Sequence, residues 1–205
     1  MIGNDRVEVR KTHKLFVGGA FPRSESGRTY EATNSQGEFL ANVAKASRKD
    51  ARDAVLAART GFNSWSKATA YNRGQVLYRI AEVMEGRKDQ FISDIQDAEA
   101  VSAKKAATQT DQAIDRVLWY AGWADKYAQV FGNTNPVSGP FFNFSIPEPT
   151  GVVAAVAPQD SSLLGLISVI APIITSGNSV IVIASTASPI PAITLSECLA
   201  TSDVI

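Results

Sequence analysis

One cysteine and one histidine are all that 205 residues offer of the two side chains that most often bind soft metals or work as acids and bases near neutrality. A lone cysteine, Cys198, excludes an internal disulfide and fits a cytoplasmic setting. No charge of one sign predominates: 20 Lys and Arg balance 20 Asp and Glu, which argues against a nucleic-acid partner. Near-neutrality also removes one barrier to self-association. No long hydrophobic run is present. The longest, Leu163 to Ile174, is interrupted by Ser168 and Pro172 and is too short to span a bilayer, so a membrane partner is not expected. No apolar segment follows Met1 to Arg6 in the manner of a secretory leader. A Gly-x-Gly-x-x-Gly fingerprint is missing, and with it the usual cradle for a dinucleotide pyrophosphate. No cluster of His, Cys, Asp and Glu suggests a metal site.

What is present is an ordinary globular composition, 45% apolar and 20% charged. Two short apolar runs flank Gly18-Gly19, as in a tight hairpin, and a second strand pair is expected around Asn34-Ser35-Gln36-Gly37, with Phe39 to Ala44 as its return strand. Ser47 and Asp50 have capping-box spacing. After them Ala51, Ala54, Val55, Ala58, Phe62 and Trp65 recur at helical intervals as a core stripe. Further helices carry Val76, Leu77, Ile80, Val83 and Met84, then Phe91, Ile92 and Ile95. One long helix is expected from about Ser102 to Phe131, with Ile114, Val117, Leu118, Ala121 and Ala128 on its apolar side. Asp94, Asp97 and Glu99 read as a solvated helix end, as do Lys104 and Lys105. His13 reads as a surface residue beside Lys11 and Lys14.

Residues 132–139 form a loop rich in Asn, Pro, Ser and Gly, and Phe141 to Ile146 read as an exposed or edge strand before Pro147-Glu148-Pro149. From Gly151 the pattern changes. Val152 to Ala157 and Val180 to Ile183 are uninterrupted apolar runs separated by an apolar helix, and a helix follows from Pro189 to Leu199. Two such strands around a crossover helix are what a parallel sheet covered on both faces requires. The expected fold class is therefore α/β, with amino-terminal strands and helices packed on the start of a parallel Rossmann-like sheet. The expected division is 1–131 as an amino-terminal strand and helix part, 132–150 as a linker with an oligomerisation-type strand, and 151–205 as the first βαβα of the sheet.

Several segments resemble the aldehyde dehydrogenase superfamily, in order along the chain. They are Leu15-Phe16-Val17-Gly18-Gly19; Asn34 to Glu38; Ala54 to Trp65, with its Ala-x-x-x-Phe-x-x-Trp ending; Arg73-Gly74-x-x-Leu77; and Tyr120 to Lys126. Glu148-Pro149-x-Gly151-Val152-Val153 through Ala157-Pro158 follows, then Ala171-Pro172, Gly177-Asn178-Ser179-Val180 and Ser188-Pro189. The resemblance implies a cofactor domain, a catalytic domain and an oligomerising arm. It implies NAD or NADP as cofactor, an aldehyde as substrate, and a homo- or hetero-oligomer with an aldehyde dehydrogenase-like chain as partner. In that family a cysteine thiol attacks the aldehyde, hydride passes to the nicotinamide, and a glutamate-activated water releases the acid. Both the nucleophile and the base would lie beyond Ile205. Cys198, between Glu197 and Leu199 in an apolar helix, reads as a small buried hydrophobe instead.

The cofactor positions carried over from the resemblance are Ala157, Pro158, Gln159, Ile183, Ser185 and Thr186. After the first cofactor strand the family has Pro-Trp-Asn-x-Pro, whereas this sequence has Pro158-Gln159-Asp160-Ser161-Ser162. Asp160 thus stands at the oxyanion-binding asparagine, where an ionised carboxylate offers only acceptors. Loss of one such donor costs about 10²–10³ in rate. A helix N-cap is the structural role expected of Asp160. The second strand of the family ends in Lys-Pro-Ser-Glu, whose lysine and glutamate hold the adenine-side ribose; here Ile183-Ala184-Ser185-Thr186 stands there. Ile183 donates nothing and reads as one more core residue, and Ser185 could cap the helix near Pro189. Two functions remain open: part of a family oxidoreductase that is inactive as this chain alone, and a pseudoenzyme used for assembly. A free-standing nucleotide-binding module is disfavoured by the absent glycine loop. Binding of NAD by the isolated chain is expected to be no tighter than about millimolar.

Overall fold

The computed structural model describes residues 10–202, so the segment read for a leader lies outside the described residues. Three short strands come first: β1 (Thr12–His13), β2 (Thr29–Thr33) and β3 (Phe39–Ala44). They form one sheet in the order β1-β3-β2, with β1 parallel and β2 antiparallel to β3. The turn between β2 and β3 forms as the sequence suggests. Asn34 Oδ1 accepts the amides of Gln36 and Glu38, and Gly37 takes φ 81°. Gly18 and Gly19 both adopt positive φ, but the hairpin they close is a single bridge between Val17 and Ala20 rather than a strand pair.

Five helices follow: α1 (Arg48–Trp65), α2 (Ala70–Gly86), α3 (Lys88–Glu99), α4 (Ala103–Trp123) and α5 (Tyr127–Phe131). The capping box is present: the Ser47 hydroxyl accepts the Asp50 amide, and the Asp50 carboxylate accepts the Ser47 amide. Burial alone would push the Asp50 carboxyl up. Hydrogen bonds from the Ser47 and Glu25 amides and the Ser24 hydroxyl outweigh it and bring the group down to about 2.

Two helical expectations need correction. The long helix expected from Ser102 to Phe131 is interrupted at residues 124–126. The interruption lies where α4 passes against Gly74 of α2. A side chain at Gly74 would meet the Ala121 carbonyl at 3.1 Å and the Ala124 methyl at 3.5 Å, and Ala124 is buried there. The stripe on α1 is not a core stripe within this chain: Ala51 is exposed, and Ala54, Val55, Ala58, Phe62 and Trp65 are half-buried.

The strand expected over residues 141–146 narrows to β5 (Phe144–Ser145), which pairs antiparallel with β4 (Asn133–Thr134), two residues expected to be loop. The remainder is β6 (Val152–Val156), α6 (Leu164–Thr175), β7 (Ser179–Ile183) and α7 (Ile190–Leu199). β6 and β7 are parallel neighbours, in register from Val152–Ser179 to Val156–Ile183. This is the expected βαβ unit.

The core is one apolar cluster. It joins Leu77, Ile80 and Met84 of α2, Phe91 and Ile95 of α3, Ile114 and Val117 of α4, Leu166 and Ile170 of α6, and Leu195 and Cys198 of α7. At about 25 cal/mol per Å² such burial supplies most of the drive to fold. Arg116 of α4 donates to the Ser168 hydroxyl of α6 at 2.6 Å, and two more polar side chains tie the helical layer to the carboxyl end of α6. The Trp65 indole donates to the Ile174 carbonyl at 2.9 Å, and Arg73 donates to the Thr175 carbonyl at 3.0 Å.

Candidate functional site

Ligands of open α/β sheets bind beyond the carboxyl ends of the strands. In this chain two loops meet there. One leaves β6 as Ala157 to Ser162; the other leaves β7 as Ala184 to Ser188. Every site position carried over from the resemblance lies in these loops or at the end of β7, so the fold brings together residues 157–160, 183, 185 and 186.

Ala157 is buried, and its amide extends the ladder to the Ile183 carbonyl at 2.9 Å. Pro158 and Gln159 are exposed, but Gln159 is not free. Its Oε1 accepts both the Thr186 amide at 2.9 Å and the Thr186 hydroxyl at 3.1 Å. Its backbone carbonyl accepts the Ser185 hydroxyl at 2.9 Å. Ser185 in turn accepts the Ser188 amide at 3.1 Å. It therefore closes the turn ahead of α7 rather than capping the helix itself, whose first turn opens at Pro189 without a side-chain cap.

Asp160 does not cap α6. The helix begins after Leu163 with no N-cap side-chain bond, and the amide of Gly165 goes to the Ser161 hydroxyl at 2.9 Å. Asp160 is exposed, and among the described residues no hydrogen bond reaches its carboxylate. Gly165 lets the loop lie this close. A Cβ there would stand 2.9 Å from Ser161 Cβ and 3.0 Å from Pro158 Cγ.

Ile183 is not a core residue; it is 60% exposed. Val180 and Val182 pack on the main core. On the opposite face Gly61 of α1 lies beside Ser179, at the far end of the strand. Ile183 and its register partner Val156, 67% exposed, stay open. Double coverage of the sheet therefore holds only in part, and the carboxyl end of one face presents hydrocarbon.

Sequence reasoning missed what holds the first loop. Asp94 and Glu99 do not form a solvated end of α3. Glu99 Oε1 accepts the Ser162 amide at 2.8 Å and the Ser162 hydroxyl at 2.5 Å. Asp94 accepts from the Thr194 hydroxyl, and burial pushes its carboxyl up against that bond. Asp97 is exposed, as are Lys104 and Lys105. The partners lie 63 and 100 residues away, beyond the reach of any local pattern.

Cys198 is fully buried, and burial pushes its thiol up to about 11, with the Arg87 charge pulling weakly the other way. It is no nucleophile at neutral pH. His13 is half-buried rather than a plain surface residue. Burial lowers its pKa, Lys11 adds to the effect and Glu197 opposes it. Among the described residues no group of three or more His, Cys, Asp and Glu could hold a metal ion. No helix among them is long and apolar enough to cross a membrane.

The site does not fit a nicotinamide dinucleotide well. Ile183 has no polar atom beyond its backbone. The donors of Thr186 are committed to Gln159, and Asp160 presents an exposed carboxylate, which offers acceptors only.

Comparison with known proteins places these features. The aldehyde dehydrogenase family model matches residues 21–204. The chain is 32% identical to cytosolic 10-formyltetrahydrofolate dehydrogenase of Pongo abelii over 197 residues, which is 92% of this chain and 22% of that protein. It is 32% identical to retinal dehydrogenase 2 of Gallus gallus over 196 residues, 91% of this chain and 36% of that protein. The chain thus spans well under half the length of these relatives. Among solved structures, HpcC from Thermus thermophilus matches with a TM-score of 0.89 at 27% identity, over 94% of this chain and 37% of that one. An NAD+ complex of aldehyde dehydrogenase from Bacillus cereus has the same fold, with a TM-score of 0.89 at 23% identity, over 94% of this chain and 40% of that one. The chain belongs to the aldehyde dehydrogenase family, and its fold is the α/β fold of that family over nearly all its length.

Proposed function

We propose that the chain supplies the opening of the cofactor domain of a cytoplasmic, NAD(P)-dependent aldehyde-oxidising protein, and that as this chain alone it neither grips the cofactor nor oxidises an aldehyde. Residues 1–131 would pack on the opening sheet of residues 151–205. Residues 132–150 would form the arm through which it joins an aldehyde dehydrogenase-like partner. The observation that carries the weak-binding reading is the bond set between Gln159 and Thr186 beside the exposed hydrocarbon of Ile183. A dinucleotide would have to break those bonds and would meet no charged donor in exchange.

A second reading is a pseudoenzyme that serves assembly. It is favoured by Asp160, because a carboxylate in place of an amide opposes the oxyanion whatever other residues join the site. Calorimetric titration with NAD+ and NADP+ tests the first reading. It is expected to give no saturation below about millimolar concentration; saturation in the micromolar range refutes it. Aldehyde turnover by this polypeptide without a second one would refute both readings.

A further inference from the structure

The carboxyl end of α3 is the point from which both loops of the site hang. Glu99, its last residue, takes the Ser162 amide and hydroxyl of the first loop, at 2.8 and 2.5 Å. Its neighbour Ala98 offers its carbonyl to the Ser188 hydroxyl of the second loop, at 3.3 Å. The helix stops directly afterwards, at Ala100, whose φ of 51° turns the chain away and fixes where Glu99 stands. Ser162 is only 3% exposed, so its amide needs a partner within the protein. α6 supplies none: Leu163 at its start makes no side-chain cap bond, and the Ser161 hydroxyl takes the Gly165 amide instead. A carboxylate from another helix answers that need, and its charge suits the amino end of α6.

The first loop is then held on either side of Asp160, and the Ser161 hydroxyl also takes the Gly165 amide. Ser185 fixes the Gln159 carbonyl and Glu99 fixes Ser162. Between them lie Asp160 and Ser161. We infer that Glu99 is a positioning residue: it sets the course of the Pro158–Ser162 loop and hence where Asp160 is presented at the mouth of the sheet. The relevance of that loop to a ligand rests on the function proposed above; its geometry does not.

Amide hydrogen exchange followed by NMR on the full chain tests the inference. Glu99→Ala is expected to speed exchange at Ser162 by at least about tenfold and to shift the Asp160 amide resonance, while Leu77, Met84 and Val117 in the core stay within about twofold of the parent. Glu99→Gln keeps an oxygen that can accept both bonds and is expected to restore most of the protection. Ser162→Ala, which spares the backbone bond, is expected to shift the Asp160 resonance without exposing the core; it carries the test should Glu99→Ala fail to fold. Unchanged exchange at Ser162, equal acceleration in the core, no rescue by Glu99→Gln, or an unmoved Asp160 resonance in Ser162→Ala would each overturn the inference. None of these readouts involves NAD. Failure here leaves the cofactor reading standing, and micromolar NAD affinity would sink that reading without touching this one.

Discussion

Replacing Arg73 with methionine removes a buried charge that joins four segments. Its guanidinium donates from Nε to the Thr175 carbonyl at 3.0 Å and from Nη1 to the Ala68 carbonyl at 2.5 Å. A long third contact, 3.4 Å, reaches the Tyr127 hydroxyl. The residue is 7% exposed. Two bonds from a charged donor contribute about 1.5–3 kcal/mol each, and the long third contact adds little. Against that stands the desolvation of the guanidinium, which methionine no longer incurs and which recovers roughly a third to a half of the loss. The net cost is about 2–4 kcal/mol, because the Thr175 and Ala68 carbonyls lose their donor inside the protein. For a domain of this size that is a fall in Tm of about 5–12 °C. Arg73→Lys keeps the charge near the carboxyl end of α6 but loses the fork, and should recover no more than about half of the loss. Urea denaturation followed by far-ultraviolet circular dichroism measures both variants. A methionine variant within about 1 kcal/mol of the parent, or a lysine variant equal to it, would refute the view that this side chain fastens the helical layer to the carboxyl end of α6.

Two further outcomes follow from the titrating groups. Asp50 is held down to about 2 in the folded chain against an ordinary 3.8, so its contribution is complete above pH 4 and is lost as pH falls through 2. Asp50→Asn should therefore cost about 1–2 kcal/mol at neutral pH and nothing at the acid end, and a pH-independent difference would contradict the assignment. Cys198, with its thiol pushed up to about 11 inside the core, should not react with a disulfide reagent at neutral pH until the chain unfolds. Rapid labelling of the folded protein would show that α7 is not packed as described.

The elements most legible in the sequence are those set by local rules. The βαβ unit announced itself through two uninterrupted apolar runs, and the start of α1 through the spacing of Ser47 and Asp50. The break between α4 and α5 has no proline at its centre; it lies against Gly74 of α2, a neighbour that only the tertiary structure reveals. Ile183 misled for a related reason. An apolar run states what a strand tolerates, whereas coverage depends on how far α1 reaches along the sheet. The site positions lie side by side because neighbouring parallel strands end together. The bonds among them were invisible: Gln159 finds Thr186 across 27 residues, and Glu99 finds Ser162 across 63.

On the proposed reading the mouth of this sheet lacks the polar grip that a dinucleotide needs. Titration of NAD+ into the parent chain and into the double variant Ile183→Lys, Thr186→Glu, side by side in the calorimeter, tests it most directly. Ile183 is exposed enough to accept an ammonium with little desolvation, and two charge-assisted bonds to a ribose, less the cost of ordering two long side chains, should raise affinity about 30- to 1000-fold. A parent without measurable binding beside a variant that saturates is the predicted result. Tight binding by the parent, or no gain in a folded variant, would contradict the account.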